Sequence, residues 1–415
     1  MMTRFAAKVL SWSTTIAITF AMIEIGLRIL PGAIPLGLLK KFEPGTRLEI
    51  AQRRGLPNLS QIWVLPRDDN GPELKLFKPF TSHKLRHRDD GTVEAVDLDG
   101  NGFCNPLPDG GYAAPKIDIL AIGDSFTACT GTAPEITWTS QLSEILDRPT
   151  YNLGRGGIGT YEYLQILKHF GLSKQPDAVV MNIYEGNDLR DAIRYRAHAD
   201  PTQPVVGTTL DRRARAPVDN ALGRHSHAYN LLATSLAQGW REVGWALDSA
   251  RGRPTPRGKN FRYRVRLEGG DVQFNESNAD SDEVDFAFAV VEGRIDLGVF
   301  DAALESFVQI ATQHGFRPVV AYSPSAHTAY ANEVVFEDPE IAAPLAGYSS
   351  ALRSYLARSA EALGFVFVDS TGAFQAAAAK SGPADLLYFP TNLHYTPAGH
   401  RVFAETVARS FESNE

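Results

Sequence analysis

The chain has 415 residues, room for two or three domains at roughly 100–200 residues each. It is 44% hydrophobic and 21% charged, an ordinary globular balance that excludes global disorder and fibrous repeats. A net charge of −7 argues against a nucleic-acid binder. Two cysteines, Cys104 and Cys129, are too few for a disulfide-dense scaffold or a Cys-rich zinc module. The mean hydropathy of −0.18 excludes a polytopic membrane protein and permits one anchor.

Arg4 and Lys8 precede a mostly apolar run from Val9 to Leu30, uncharged between Leu10 and Ile23. As a helix this run rises roughly 33 Å, enough to cross a hydrocarbon core. Glu24 and Arg28, four apart, can pair on one helix face, and Pro31-Gly32 ends the segment. The run is long for a signal peptide and no small-x-small cleavage site follows it. The preferred reading is an uncleaved transmembrane anchor over 9–31, a cytoplasmic tail over 1–8, and the bulk of the chain outside. Lys40 and Lys41, on the far side, point the other way. A cleaved signal peptide is the competing reading, and a docked amphipathic helix is a further alternative.

Residues 32–115 are rich in Pro, Gly and charge and read as a juxtamembrane segment. Within them Asp97 to Gly102 looks like the start of a calcium loop, but Pro108 stands where the bidentate Glu belongs, so a turn is expected. From 116 to 412 short apolar runs alternate with helical patterns. Strands are expected at Ile117–Ile122, Tyr151–Leu153, Ala178–Tyr184, Pro318–Tyr322 and Phe365–Val368. Helices are expected near Trp138–Leu146, Tyr161–Phe170, Val299–His314 and Ser349–Leu363. This alternation implies an α/β domain with a parallel sheet and right-handed crossovers, whose chemistry gathers at the carboxyl ends of the strands. Residues 195–290 break the pattern and read as an insertion. There a basic stretch, Arg251–Arg266, is followed by an acid-rich one. A solvated hairpin whose charges pair is favoured over a cleft wall for an anionic polymer.

Four segments carry candidate chemistry. Gly123-Asp124-Ser125-Phe126 follows the first strand of the domain, where a Ser at a strand-to-helix turn is exposed to substrate. Asn152 to Thr160, with glycines at 154, 156, 157 and 159, follows the second strand, and its backbone N–H groups can approach a substrate oxygen. The dinucleotide spacing is formally present there but follows the wrong strand and lacks its acidic partner. Gly186-Asn187-Asp188 follows the third strand, where an Asn amide can donate to an oxyanion. Asn392-Leu393-His394 lies near the C-terminus, from where His394 can reach back to Ser125.

These blocks, GDSF, NLGRGGIGT, EGND and NLHYTPAGH, resemble in type and order those of the SGNH (GDSL-type) hydrolase superfamily over roughly residues 116–410. The resemblance implies a flavodoxin-like three-layer α/β/α sandwich with a five-stranded parallel sheet. It implies Ser125 as nucleophile, His394 as general base, and an oxyanion hole of Ser125 N–H, Gly157 N–H and the Asn187 amide. The N-terminal helix and GFCNP before the first strand resemble bacterial membrane-anchored members. That places the protein in the inner membrane as a single-pass protein with its catalytic domain extracytoplasmic. The implied activity is a serine esterase working on acyl esters of envelope or exported carbohydrate, without metal or cofactor and without a nucleic-acid partner. The alternatives are an O-acyltransferase of exported polysaccharide and a catalytically weakened polysaccharide-binding or assembly protein.

One departure stands out. The family places an Asp two or three residues before the His; here those positions hold Asn392 and Thr391. Loss of that charge costs about 10⁴ in turnover in a serine protease. The expectation is a Ser125–His394 dyad helped by Asn392, or a distant carboxylate, Asp369 or Asp385, in its place. Cys104 and Cys129 flank the nucleophile strand, and either form a disulfide or remain two buried thiols. His400 is expected to cap and pack the final helix. His83 and His87 lack the Glu of a zinc motif, and His225 and His227 are expected in solvent.

Overall fold

The computed structural model describes residues 2–39, 42, 44–54, 62–86, 93–106, 116–200, 223, 225–236, 261–275 and 281–412. The chain forms two compact units, Met1–Gln61 with Gly207–Thr255, and Ile62–Val206 with Pro256–Glu415.

The smaller unit is helical. Helix α1 (Met2–Ile29) is followed by α2 (Leu36–Leu39) and α3 (Pro44–Arg53), and residues 227–236 are also helical. The stretch Ser11–Ile29 is long and apolar enough to cross a membrane, and only 6% of it is buried. Trp12, Ile16 and Met22 are exposed. The end of α1 is tied down. Glu24 pairs with Arg28 at 2.6 Å and accepts from Ser226 Oγ and the Ala228 N–H. Arg28 donates to the His225 carbonyl. Leu27, Ile34, Leu39, Phe42, Ile50 and Ala228 form a small apolar core. His227 belongs to this unit's interior and is buried, contrary to its expected place in solvent.

The larger unit begins with two antiparallel hairpins. These are β1 (Ile62–Leu65) with β2 (Leu74–Phe77), and β3 (Ser82–Arg86) with β4 (Val93–Asp97). The central sheet then contains β5 (Ile119–Ile122), β6 (Thr150–Asn152), β7 (Ala178–Tyr184), β10 (Arg317–Ser323) and β12 (Val366–Asp369), in the order β12-β10-β7-β5-β6. All four pairings are parallel. In chain order this is 2-1-3-4-5, the flavodoxin-like arrangement, with its switch point between β5 and β7. The fold expected from the sequence is therefore present. The β5 and β7 side chains are all buried, as continuous apolar runs in a doubly covered parallel sheet must be.

Helices cover both faces. On one side α4 (Trp138–Leu146) packs on α12 (Pro397–Glu412), with α11 (Thr371–Ala378) beside it. On the other, α5 (Thr160–Ile166) packs on α8 (Asp301–His314), and α8 on α10 (Ala342–Leu363). Helix α6 (Asp188–Ala199) follows β7, α7 (Ser281–Val291) lies against α10, and α9 (Ala326–Ala329) follows β10. Helices α8 and α10 end on Gly315 and Gly364 at φ of 73° and 84°, the left-handed caps that stop a helix before the next strand.

The units do not follow the boundaries read from the sequence. Residues 62–106 belong to the sheet-bearing unit: Leu65, Leu74, Leu76 and Phe103 enter its main core. Their strands are short and separated by Pro, Gly and charge, which hid their alternation. Residues 195–290 are shared between the units. Strands β8 (Arg262–Leu267) and β9 (Gly270–Asn275) form a hairpin with β11 (Val334–Phe336) on its edge. Tyr263 and Val265 point inward while Arg262, Arg264 and Arg266 point outward, and Arg264 pairs with Asp271 at 3.6 Å. The rest of the basic stretch, from 251 to 260, lies outside the described residues.

Candidate active site

The site lies at the carboxyl ends of β5 and β7, where the strand order reverses. Strand β5 ends at Ile122, and the chain turns sharply through Gly123 and Asp124. Asp124 Oδ1 accepts the Phe126 N–H at 2.8 Å, and its carbonyl accepts from Thr127 and Ala128. This closes a helical turn with Ser125 on its outer side. Gly123 cannot be larger: a Cβ there would lie 2.1 Å from Thr127 Oγ1.

The loop after β6 presses against this turn. Asn152 Oδ1 accepts the Gly154 N–H and its amide donates to the Thr127 carbonyl. A Cβ on Gly154 would lie 2.4 Å from the Ala128 nitrogen, and one on Gly156 would lie 3.3 Å from Ser125 Cβ. Gly157 adopts a φ of 79°, in the left-handed region, with open space where a Cβ would be. Glycine adopts this left-handed conformation without the strain a Cβ would bring.

The loop after β7 supplies Asn187. Its amide donates to Asp191 Oδ2 at 3.1 Å, one turn along α6, and its other hydrogen bond goes to Asp124. Asp188 accepts from the Tyr163 hydroxyl and the Tyr184 N–H. Asp124, Asp188 and Asp191 are thus three buried carboxylates beside the Ser125 turn. Burial, then the charge of Asp191, pushes Asp124 up to about 7. Burial, then Asp124, pushes Asp188 well above the usual carboxylate range. Asp191 pairs with Arg190 at 3.0 Å and Arg194 at 3.4 Å.

His394 comes from the loop before α12. Its ring stacks on Phe126, the residue after Ser125, with centroids 4.9 Å apart. Phe126 in turn stacks on Tyr184 at 3.7 Å and meets Tyr395 edge-on. His394 Nδ1 lies 2.9 Å from the main-chain carbonyl of Asn392. A carbonyl only accepts, so Nδ1 carries the hydrogen and Nε2 presents the lone pair. The Asn392 side chain serves the backbone instead: Oδ1 accepts the His394 N–H at 3.0 Å. Between them Leu393 stands at φ 59°, an uncommon conformation for leucine that folds the carbonyl back toward the ring. Asp369 pairs with Arg353 and accepts the Thr371 N–H, and Asp385 is exposed.

Cys104 and Cys129 are joined by a disulfide, Cα atoms 5.9 Å apart. The bridge holds the loop after Ser125, and a Cβ on Gly131 of that loop would meet Phe389 and Asn392 of the His394 loop at 3.3 and 3.5 Å. His400 caps a different helix from the one expected. Its Nδ1 accepts the Trp138 N–H at the start of α4, and Nε2 lies 3.3 Å from Thr132 Oγ1. Burial, then His394, pushes it down to about 3, so it is a neutral structural group. Asp99 confirms the turn at 97–102: it accepts from Asn101 N–H, Phe103 N–H, Asn105 and Tyr151.

The four loops named in the sequence meet at one end of the sheet. The sequence reading missed Phe126 as the platform for His394, Asp191 as the anchor of Asn187, and the Leu393 turn. Only Asp191 left a signal, its i+4 spacing from Asn187 at a helix start.

No protein-family model matches the chain, and no curated protein matches it. Several solved structures do. One is described as a lipolytic protein of the G-D-S-L family from Desulfitobacterium hafniense, with 12% identity over 71% of this chain and 99% of that chain, TM-score 0.35. Another is a variant of an acetyl xylan esterase from Geobacillus stearothermophilus, with 14% identity over 71% and 93%, TM-score 0.35. A third is an alpha/beta hydrolase enzyme from the metagenome of Lake Arreo, with 15% identity over 73% and 99%, TM-score 0.34. Among solved structures, the chain is similar to G-D-S-L lipolytic proteins and acetyl xylan esterases.

Proposed function

We propose that the protein is a serine esterase acting on acyl esters through Ser125 and His394. The observation that carries this reading is the tautomer of His394. A ring held at Nδ1 by the Asn392 carbonyl, and stacked beside the nucleophile turn, offers its Nε2 lone pair as a base. His394 takes the Ser125 proton as the hydroxyl oxygen attacks the ester carbonyl. The tetrahedral oxyanion is held by the Ser125 and Gly157 N–H groups and by the Asn187 N–H that otherwise rests on Asp124. The intermediate collapses to an acyl-enzyme as His394 returns the proton to the leaving alcohol, and water then releases the acid. The Asn392 carbonyl orients the imidazolium without a full charge, which predicts a slower site than one with a carboxylate there.

The substrate we assign is an acyl ester of envelope or exported carbohydrate. The exposed apolar α1 and the Cys104–Cys129 bridge support a membrane-anchored protein with its site in an oxidising compartment outside the cytoplasm. If a sugar hydroxyl replaces water, the same steps make an O-acyltransferase. The test is acetate release from an acetylated glycan by the full chain, with and without an acceptor sugar. Release that depends on Ser125 supports the esterase. Transfer that exceeds release selects the transferase, and neither leaves a binding protein.

A further inference from the structure

A second group of buried ionisable side chains lies at the carboxyl ends of β7 and β10, and the ester chemistry makes no use of it. Glu185 follows β7, His327 lies in α9 after β10, and Glu283 comes from α7. Their exposures are 0%, 3% and 1%. One ligand atom from each lies within 4.8 Å of the others.

The surrounding hydrogen bonds fix which atoms face inward. The Thr328 hydroxyl donates to Glu185 Oε1 at 2.7 Å. Its one hydrogen is spent there, so at 3.3 Å from His327 Nδ1 it can only accept. Nδ1 therefore carries the hydrogen, and Nε2 faces Glu283 Oε1 at 3.1 Å. The pair stands within hydrogen-bond and ion-pair reach. Ser325 contributes its N–H to Glu185 and its hydroxyl to Glu283. Glu283 Oε2 is buried and has no hydrogen-bond partner among the described residues.

We propose that Glu185, Glu283 and His327 bind one divalent transition-metal ion. Imidazole with two carboxylates is a donor set that suits Zn²⁺, and three protein ligands leave a fourth position for water. Thr328 and Ser325 then act as the outer partners that hold the ligands, as hydrogen-bonded His and carboxylate ligands require. A tetrahedral zinc needs donors about 3.4 Å apart; the His327–Glu283 pair is already at 3.1 Å, and no pair of ligand atoms is more than 4.8 Å apart. The ion would tie α7 to the ends of β7 and β10, two residues from Asn187. The site stands independently of the esterase reading.

The test uses the full chain in detergent, stripped with EDTA and re-exposed to ZnCl2. After gel filtration, elemental analysis is expected to find one zinc per chain, with a thermal midpoint raised by several degrees over the stripped protein. E283Q and H327Q are expected to retain less than a tenth of that zinc. In case either variant fails to fold, CoCl2 is titrated into the stripped natural protein, where visible d–d bands saturating at one equivalent report the site. No retained zinc with no cobalt bands overturns the proposal and leaves a buried imidazolium–carboxylate cluster. Zinc retained undiminished by both variants also overturns it.

Discussion

The imidazole of His394 lies flat on Phe126, centroids 4.9 Å apart, and Phe126 directly follows Ser125. Phe126 thereby seats the ring beside the Ser125 turn, and the Asn392 carbonyl sets which nitrogen carries the hydrogen. Replacing Phe126 by Leu keeps the volume apolar but removes the ring. Turnover of a model ester is expected to fall by about ten- to a hundredfold through misplacement of the base. KM is expected to change little.

The main-chain partner of His394 makes a distinctive prediction for Asn392→Asp. A carboxylate at 392 accepts the same His394 N–H that Asn392 Oδ1 now accepts, and leaves the Nδ1 partner unchanged. It adds charge near the imidazolium, so kcat/KM should rise by less than about tenfold. A gain approaching the roughly 10⁴ that separates Asp from Asn in a triad would show that the side chain, not the carbonyl, is the true partner. Steady-state ester hydrolysis by the two proteins decides it.

Asp124 makes stability depend on pH. Its folded value, about 7, lies above the ordinary carboxylate value because the group is buried, with Asp191 adding to the effect. A carboxyl raised on folding favours the folded state in its protonated form. Its contribution is complete below about pH 4 and is lost as pH rises toward 7. Asp124→Asn keeps the acceptor for the Phe126 N–H and removes the titration. The variant's thermal midpoint relative to the natural protein should therefore climb from pH 4 to pH 8. A difference that stays flat over that range would contradict the assignment.

Gly154→Ala tests how tightly the second loop seats on the nucleophile turn. The added methyl would lie 2.4 Å from a main-chain nitrogen, so backbone rather than a side chain must move. Loss of about 1–3 kcal/mol of stability is expected, measured by denaturant unfolding of the purified chain, together with loss of Ser125 reactivity.

Much of the fold was legible because β5 and β7 are buried on both faces and read as unbroken apolar runs. The site loops were legible because the Ser, the glycines and the Asn each follow a strand, and His394 lies just before the last helix. What stayed hidden has a physical reason in each case. The partner of His394 is a carbonyl, which every residue possesses, so no side chain at 391 or 392 announced it. The 62–106 region reads in sequence as part of a juxtamembrane segment because its hairpin strands are too short to show a period. Glu185, Glu283 and His327 meet only through the crossovers, so no local spacing marks them.

The disulfide restrains the loop that carries Gly131 against the His394 loop. Opening it, by Cys104→Ser with Cys129→Ser, removes a closure spanning 25 residues, worth about 3 kcal/mol. The thermal midpoint of the oxidised natural protein should fall with reductant, and that of the double variant should not respond.

The most direct test of the account is reaction of the full chain with a fluorophosphonate, read by intact mass and peptide mapping. One adduct is expected, on Ser125, formed by the natural protein, lost in Ser125→Ala and slowed at least a hundredfold in His394→Ala. No adduct on Ser125 in the folded natural protein would contradict it.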